Sequence, residues 1–166
     1  MFRIKTLLFT IIILTSLCAN SNLFSQDKWW KEKKYKSEAV RAKYELCKRT
    51  FKDIGYGLLY KNISYINSYF DSQVYLNVIS NDKGYYSSDQ AELILLDFMD
   101  YFTVDSFRYL RSSRFNTYAF VNGTYTYMIG SGKKSLNVSV SLKYYNNKWY
   151  IEQIEINWFQ ISYYDA

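Results

Sequence analysis

The stretch "GYYSSDQAELILLDFMDYF", Gly84 to Phe102, decides how the rest of the chain is read. A tyrosine pair, a serine pair and four carboxylates beside an apolar run fit either a catalytic acidic patch or a single capped helix. Ser87 with Gln90 three residues on is a capping box, in which each side chain satisfies an orphan backbone amide of the first turn. Asp89 and Glu92 then fall where the helix dipole favours negative charge. Ala91, Ile94, Leu95, Phe98 and Phe102 recur at helical spacing as the buried stripe, with Asp97 and Asp100 pointing elsewhere. The reading is a helix, and its acids are caps and solvated positions.

The segments after this helix alternate with a period of two, the mark of half-buried strands. Phe107, Tyr109 and Arg111 share one face of the first, with Arg108 and Leu110 on the other. The next, "NTYAFVNGTYTYMIG", contains Gly123 and predicts a bulge or bend there. "SGKK" turns the chain. "SLNVSVSLKYY" then sets Leu136, Val138, Val140 and Leu142 against Asn137, Ser139, Ser141 and Lys143. "NN" predicts a hairpin turn into "KWYIEQIEINWF". There Trp149 and Ile151 give way to Ile154, Ile156 and Trp158, a phase slip that predicts a bulge near Gln153.

Ahead of the opening stretch, Val40, Tyr44, Cys47, Phe51, Ile54 and Leu58 trace a helical stripe, with Gly55 and Gly57 weakening its last turns. Asn62 caps a short turn through Ile63, Ile66 and Tyr69. Val74, Leu76 and Val78 alternate as a strand that "NDKG" closes as a turn. The order is helix, short helix, strand, helix and four strands. It predicts an α+β domain in which a bent, mostly antiparallel sheet wraps helices.

The N-terminus reads differently. Arg3 and Lys5 precede an apolar run from Leu7 to Leu17, a signal-peptide pattern with a cleavage point after Ser25. Lipid attachment at Cys18 is the weaker alternative, because bulky Leu17 stands where a small residue is expected. The boundaries expected are 1–25 signal peptide, 26–49 basic helical arm and 50–160 domain. Residues 26–52 carry ten Lys and Arg against four carboxylates, whereas 53–166 carry nine against eleven. Export argues against nucleic-acid binding by this arm, and no nucleic-acid partner is expected. A membrane-surface contact through residues 28–36 is the weaker alternative to a solvated linker.

Several chemistries are excluded outright. The chain has no histidine, which removes the commonest base near neutral pH and every histidine-dependent triad or metal site. Only Cys47 remains after cleavage, so the mature chain has no intramolecular disulfide, and the residue reads as a small buried hydrophobe. No metal site and no cofactor is expected. The 19 tyrosines accompany abundant Asn, Ile and Lys, the signature of an AT-rich genome rather than of stacking platforms.

"INSYFDSQVYLNVISNDKGYYSSDQAELILLDFMDYF", "YAFVNGTYTY" and "KWYIEQIEI" together resemble a family of small exported bacteroidete proteins of uncharacterised function. That family has the nuclear-transport-factor-2-like (cystatin-like) cone fold. Phe70, the turn residue Gly84, the helix start of Tyr86, Ser87, Gln90, Ala91 and Glu92, and the Asp97-Phe98 pair carry the likeness, which covers roughly residues 50–158. The resemblance implies a helix-filled cone and brings no catalytic residues.

Two functions follow as expectations. One is a non-enzymatic exported binding or interaction module, holding a small molecule or protein in the cone or on the sheet, with a sheet-paired homodimer possible in principle. The other is an isomerase- or dehydratase-like enzyme with a tyrosine and a carboxylate in the cone. Phe98, Tyr118, Tyr125 and Tyr127 are the cone-lining candidates. Strands 116–145 contain no carboxylate, which weighs against a strand-borne base.

Overall fold

A computed structural model describes residues 37–79 and 81–159. The expected signal peptide, Cys18 and arm residues 26–36 lie outside them. Helix α1 spans Glu38–Tyr60, followed by two 3₁₀ turns at Ile63–Tyr65 and Asn67–Tyr69. Then come strands β1 (Phe70–Val78) and β2 (Asp82–Ser87), and helix α2 (Ser88–Tyr101). Strands β3 (Val104–Arg114), β4 (Tyr118–Ile129), β5 (Gly132–Tyr145) and β6 (Lys148–Trp158) complete the described chain. The strands form one sheet in the order β2-β1-β6-β5-β4-β3, antiparallel except where β1 runs parallel to β6.

The α+β architecture matches the expectation, and α2 starts as read. Ser87 Oγ accepts from Gln90 N–H while Gln90 Oε1 accepts from Ser87 N–H. Its buried face is Ala91, Leu95, Phe98 and Met99. Ile94 is only half-buried, a departure from the expected stripe. In α1, Cys47, Phe51, Ile54 and Leu58 are buried, but Val40 is 37% exposed because the first turns stand clear of the core.

Two hydrogen bonds fasten α1 to the sheet. The Trp149 indole N–H donates to Lys43 O at 2.9 Å and the Tyr109 hydroxyl to Phe51 O at 2.8 Å. Gly57 strengthens the packing of the last turns rather than merely weakening the helix. A Cβ there would meet Ile66 Cγ1 at 2.4 Å, so only glycine lets the 3₁₀ turn lie against the helix.

Three readings are corrected. "NDKG" is not simply a turn: Asp82 to Ser87 pair with β1 from Val78 back to Gln73 as an edge strand. Its half-buried positions are Asp82, Gly84 and Tyr86 against exposed Lys83, Tyr85 and Ser87, so the hydrophobic signal is faint. The β4 alternation passes through Gly123 without a break in its pairing to β5. The irregularity lies in the partner strand instead, where Leu110 is the extra residue between Tyr109, opposite Gly123, and Arg111, opposite Asn122. That bulge moves Arg111 off the inner face shared by Phe107 and Tyr109. The slip expected near Gln153, by contrast, is borne out: a bulge at Glu152 lies between the pairs Leu142–Ile151 and Ser141–Gln153.

Candidate functional site

The helices leave the end of the sheet nearest the C-terminus of α2 open. A cavity of about 560 Å³ lies there, between α2, the β1–β2 turn and the ends of β4 and β6. Phe98, Phe102, Tyr127 and Trp158 form its aromatic walls, and Ile94 adds an aliphatic patch. This is why Ile94 is only half-buried: it faces the cavity. The Phe102 ring organises the wall, edge-on to Tyr127 at 4.8 Å and 89°, and 6.2 Å from Trp158.

The polar groups divide by depth. Asn81, Asp82 and Asp97 stand at the mouth, and Asp97 is exposed. The Tyr127 hydroxyl is buried and has no hydrogen-bond partner. Burial, with a smaller contribution from Tyr101, holds its pKa above the ordinary tyrosine value, so it is a donor rather than a base. An unpaired buried hydroxyl costs about 1–3 kcal/mol, and native structures keep few of them.

The four sequence candidates separate. Phe98 and Tyr127 line the cavity. Tyr125 is packed against Phe98 with its hydroxyl donating to Phe102 O at 2.7 Å, so it shapes the wall without an available polar group. Tyr118 is elsewhere. It is 36% exposed on the outer sheet face, its hydroxyl 2.9 Å from Ser141 Oγ. Its phase follows directly from unbroken alternation, since Ala119, Val121, Tyr125 and Tyr127 are the buried set. Phe102, Trp158 and Ile94 read from the sequence as inward-facing positions, not as cavity walls. An apolar residue at the very end of an element is a signal for Phe102 and Trp158, whereas Ile94, in mid-helix, carries none.

Around the mouth, Tyr101, Met128, Ile129 and Trp158 remain exposed, Tyr101 by 81%. They form an apolar collar. No group of three or more metal-ligating side chains occurs among the described residues. Cys47, the described cysteine, is buried far up α1 and away from the cavity, and burial pushes its thiol up to about 12.

Residues 51–157 match the family model for DUF4783, a domain of unknown function, and the chain belongs to that family. Among solved structures, a DUF4783 protein from Bacteroides uniformis is 20% identical, with a TM-score of 0.60 over 66% of this chain and 97% of its own. A second, from Bacteroides ovatus, is 18% identical with a TM-score of 0.58 over 66% and 94%. A Novosphingobium aromaticivorans protein provisionally named scytalone dehydratase is 13% identical, with a TM-score of 0.53 over 77% and 91%. At such identities the likeness concerns the fold, which is nuclear-transport-factor-2-like. No curated protein sequence matches the chain.

Proposed function

We propose that the chain is a non-enzymatic binding module whose open cone end receives a small, mainly apolar molecule. The observation that carries the reading is the cavity of about 560 Å³ walled by Phe98, Phe102, Tyr127 and Trp158. Its volume and its few polar groups fit a ligand pocket. The unpartnered Tyr127 hydroxyl is a buried donor among the described residues, suited to a single acceptor on an otherwise apolar ligand. The arrangement favours binding over catalysis. Its carboxylates stand at the mouth, where water screens them, and no base is buried beneath the aromatic walls among the described residues. The proposal includes export, on the leader read at residues 1–25, so the mature protein should begin at Gln26 when sequenced from its N-terminus.

Fluorescence titration with 1-anilinonaphthalene-8-sulfonate tests the pocket. The probe should bind at one saturable site, and Ile94→Trp, which fills the cavity, should abolish the signal. Leu93→Trp, placed outside the cavity, should leave it intact. Equal binding by both variants, or no saturable binding by the parent, overturns the reading.

A further inference from the structure

The outer face of the sheet carries a second recess, independent of the cone. The parallel pairing of β1 with β6 is interrupted: Phe70 lies opposite Ile151 and Tyr75 opposite Gln153. Four residues of β1 therefore stand against one residue, Glu152, of β6, which is also the bulge toward β5. The strands splay there. A groove of about 440 Å³ opens there, with Ile151, Glu152 and Gln153 of β6 in its lining.

Its side walls are aromatic. Tyr75 and Tyr85 meet edge-to-face at 5.3 Å and 68° on one side, with Tyr85 73% exposed. Tyr150 stands on the other, held by stacking on Tyr145 at 4.5 Å and 22° and by Lys148 Nζ 4.9 Å from its ring centre. The polar lining is mixed in sign and kind. Gln73 and Gln153 can both donate and accept, Asp71 and Glu152 only accept, and Lys143 only donates. Asp71 is already oriented, accepting from Ser72 N–H at 2.7 Å and from the Tyr145 hydroxyl.

These features select a ligand class. An apolar molecule would strip water from amides and carboxylates without replacing their hydrogen bonds. A polyanion finds no net positive field, since Lys143 lies 4.0 Å from Glu152 and Asp71 is close by. Groups that each donate and accept, presented around an apolar ring face, suit both the mixed lining and the tyrosine walls. That is the chemistry of a sugar: hydroxyls for the amides and acids, C–H faces for the rings. We infer that this groove is a carbohydrate-binding site, with Tyr85 and Tyr150 as stacking walls and Gln153, Asp71 and Glu152 reading hydroxyls.

Cellotetraose, maltotetraose and chitotetraose, each titrated into the isotopically labelled chain, test the site. At about 10 mM, well above a millimolar Kd, at least one should shift amide resonances of residues 71–75 and 150–153. Tyr85→Ala and Tyr150→Ala should each weaken that binding about tenfold, the loss expected of one stacking contact. Tyr85→Ala is the decisive variant, because so exposed a ring contributes little to folding. Ile94→Trp should leave sugar binding unchanged, which separates this site from the cone. No response to any of the three sugars, shifts confined to other residues, or full binding by Tyr85→Ala overturns the inference.

Discussion

Gly123 passes so close to Arg108 that a Cβ added to it would lie 2.7 Å from the Arg108 carbonyl oxygen and 3.2 Å from the Phe107 ring. The close approach sits beside the β3 bulge, and together they let the outer strands curl over α1. Gly123→Ala must push backbone rather than a flexible side chain. It should destabilise the fold by about 1–3 kcal/mol, read from the urea midpoint. A smaller loss than that of an exposed-strand alanine control would mean the strands can part there without cost.

The capping box gives a local prediction. Ser87→Ala removes the acceptor for Gln90 N–H at 3.3 Å and should cost about 1 kcal/mol, with the fold intact by circular dichroism. Ser88→Ala, one residue on and outside the box, should be nearly silent.

Two neighbouring tyrosines should respond in opposite ways to the same substitution. Tyr125→Phe deletes a buried hydrogen bond to Phe102 O and should lower stability by about 1 kcal/mol. Tyr127→Phe deletes an unpartnered hydroxyl and should leave stability equal or higher. Thermal unfolding of both variants checks the pair, and equal losses would mean that the Tyr127 hydroxyl is satisfied in solution.

Alkali should unfold the protein through its tyrosines. Burial, then the hydrogen bond to Asp53 and the charge of that carboxylate, pushes Tyr69 up to about 12. Burial also holds Tyr109 and Tyr125 well above their ordinary values. Unfolded tyrosine titrates near 10. Since the folded values are raised, this stabilisation is complete below about pH 10 and is lost as pH climbs through the folded values. The urea midpoint should therefore fall above pH 10, and less steeply in Tyr69→Phe. An identical slope in that variant would remove Tyr69 from the account.

Cys47 should be inert while the chain is folded. Desolvation raises its thiol to about 12, outweighing the opposing influence of Arg114. In a Cys18→Ser chain, where Cys47 is the sole thiol, alkylation near pH 8 should proceed only with unfolding, because the thiolate is the reactive form. Rapid labelling in buffer would place this part of α1 in an opening equilibrium.

The residues that announced themselves did so for local reasons. The capping box of Ser87 and Gln90 and the alternation of Leu136 to Leu142 need only neighbouring residues to be recognised. The slip beside Gln153 was legible for the same cause, since inward positions change parity within one strand. These determined two helices, the faces of the long strands and the α+β class. Tertiary structure alone decided what depends on distant partners. β2 exists because β1 offers it a pairing edge, and Arg111 changes face because β3 gains a residue against Gly123. The two recesses belong to that second group. One requires the ends of α2, β4 and β6 to meet around Phe102, and the other requires β1 and β6, about 80 positions apart, to run parallel and then splay at Glu152. Periodicity records which face a side chain takes, but a cavity is a relation between elements, set by long-range pairing that no single segment encodes.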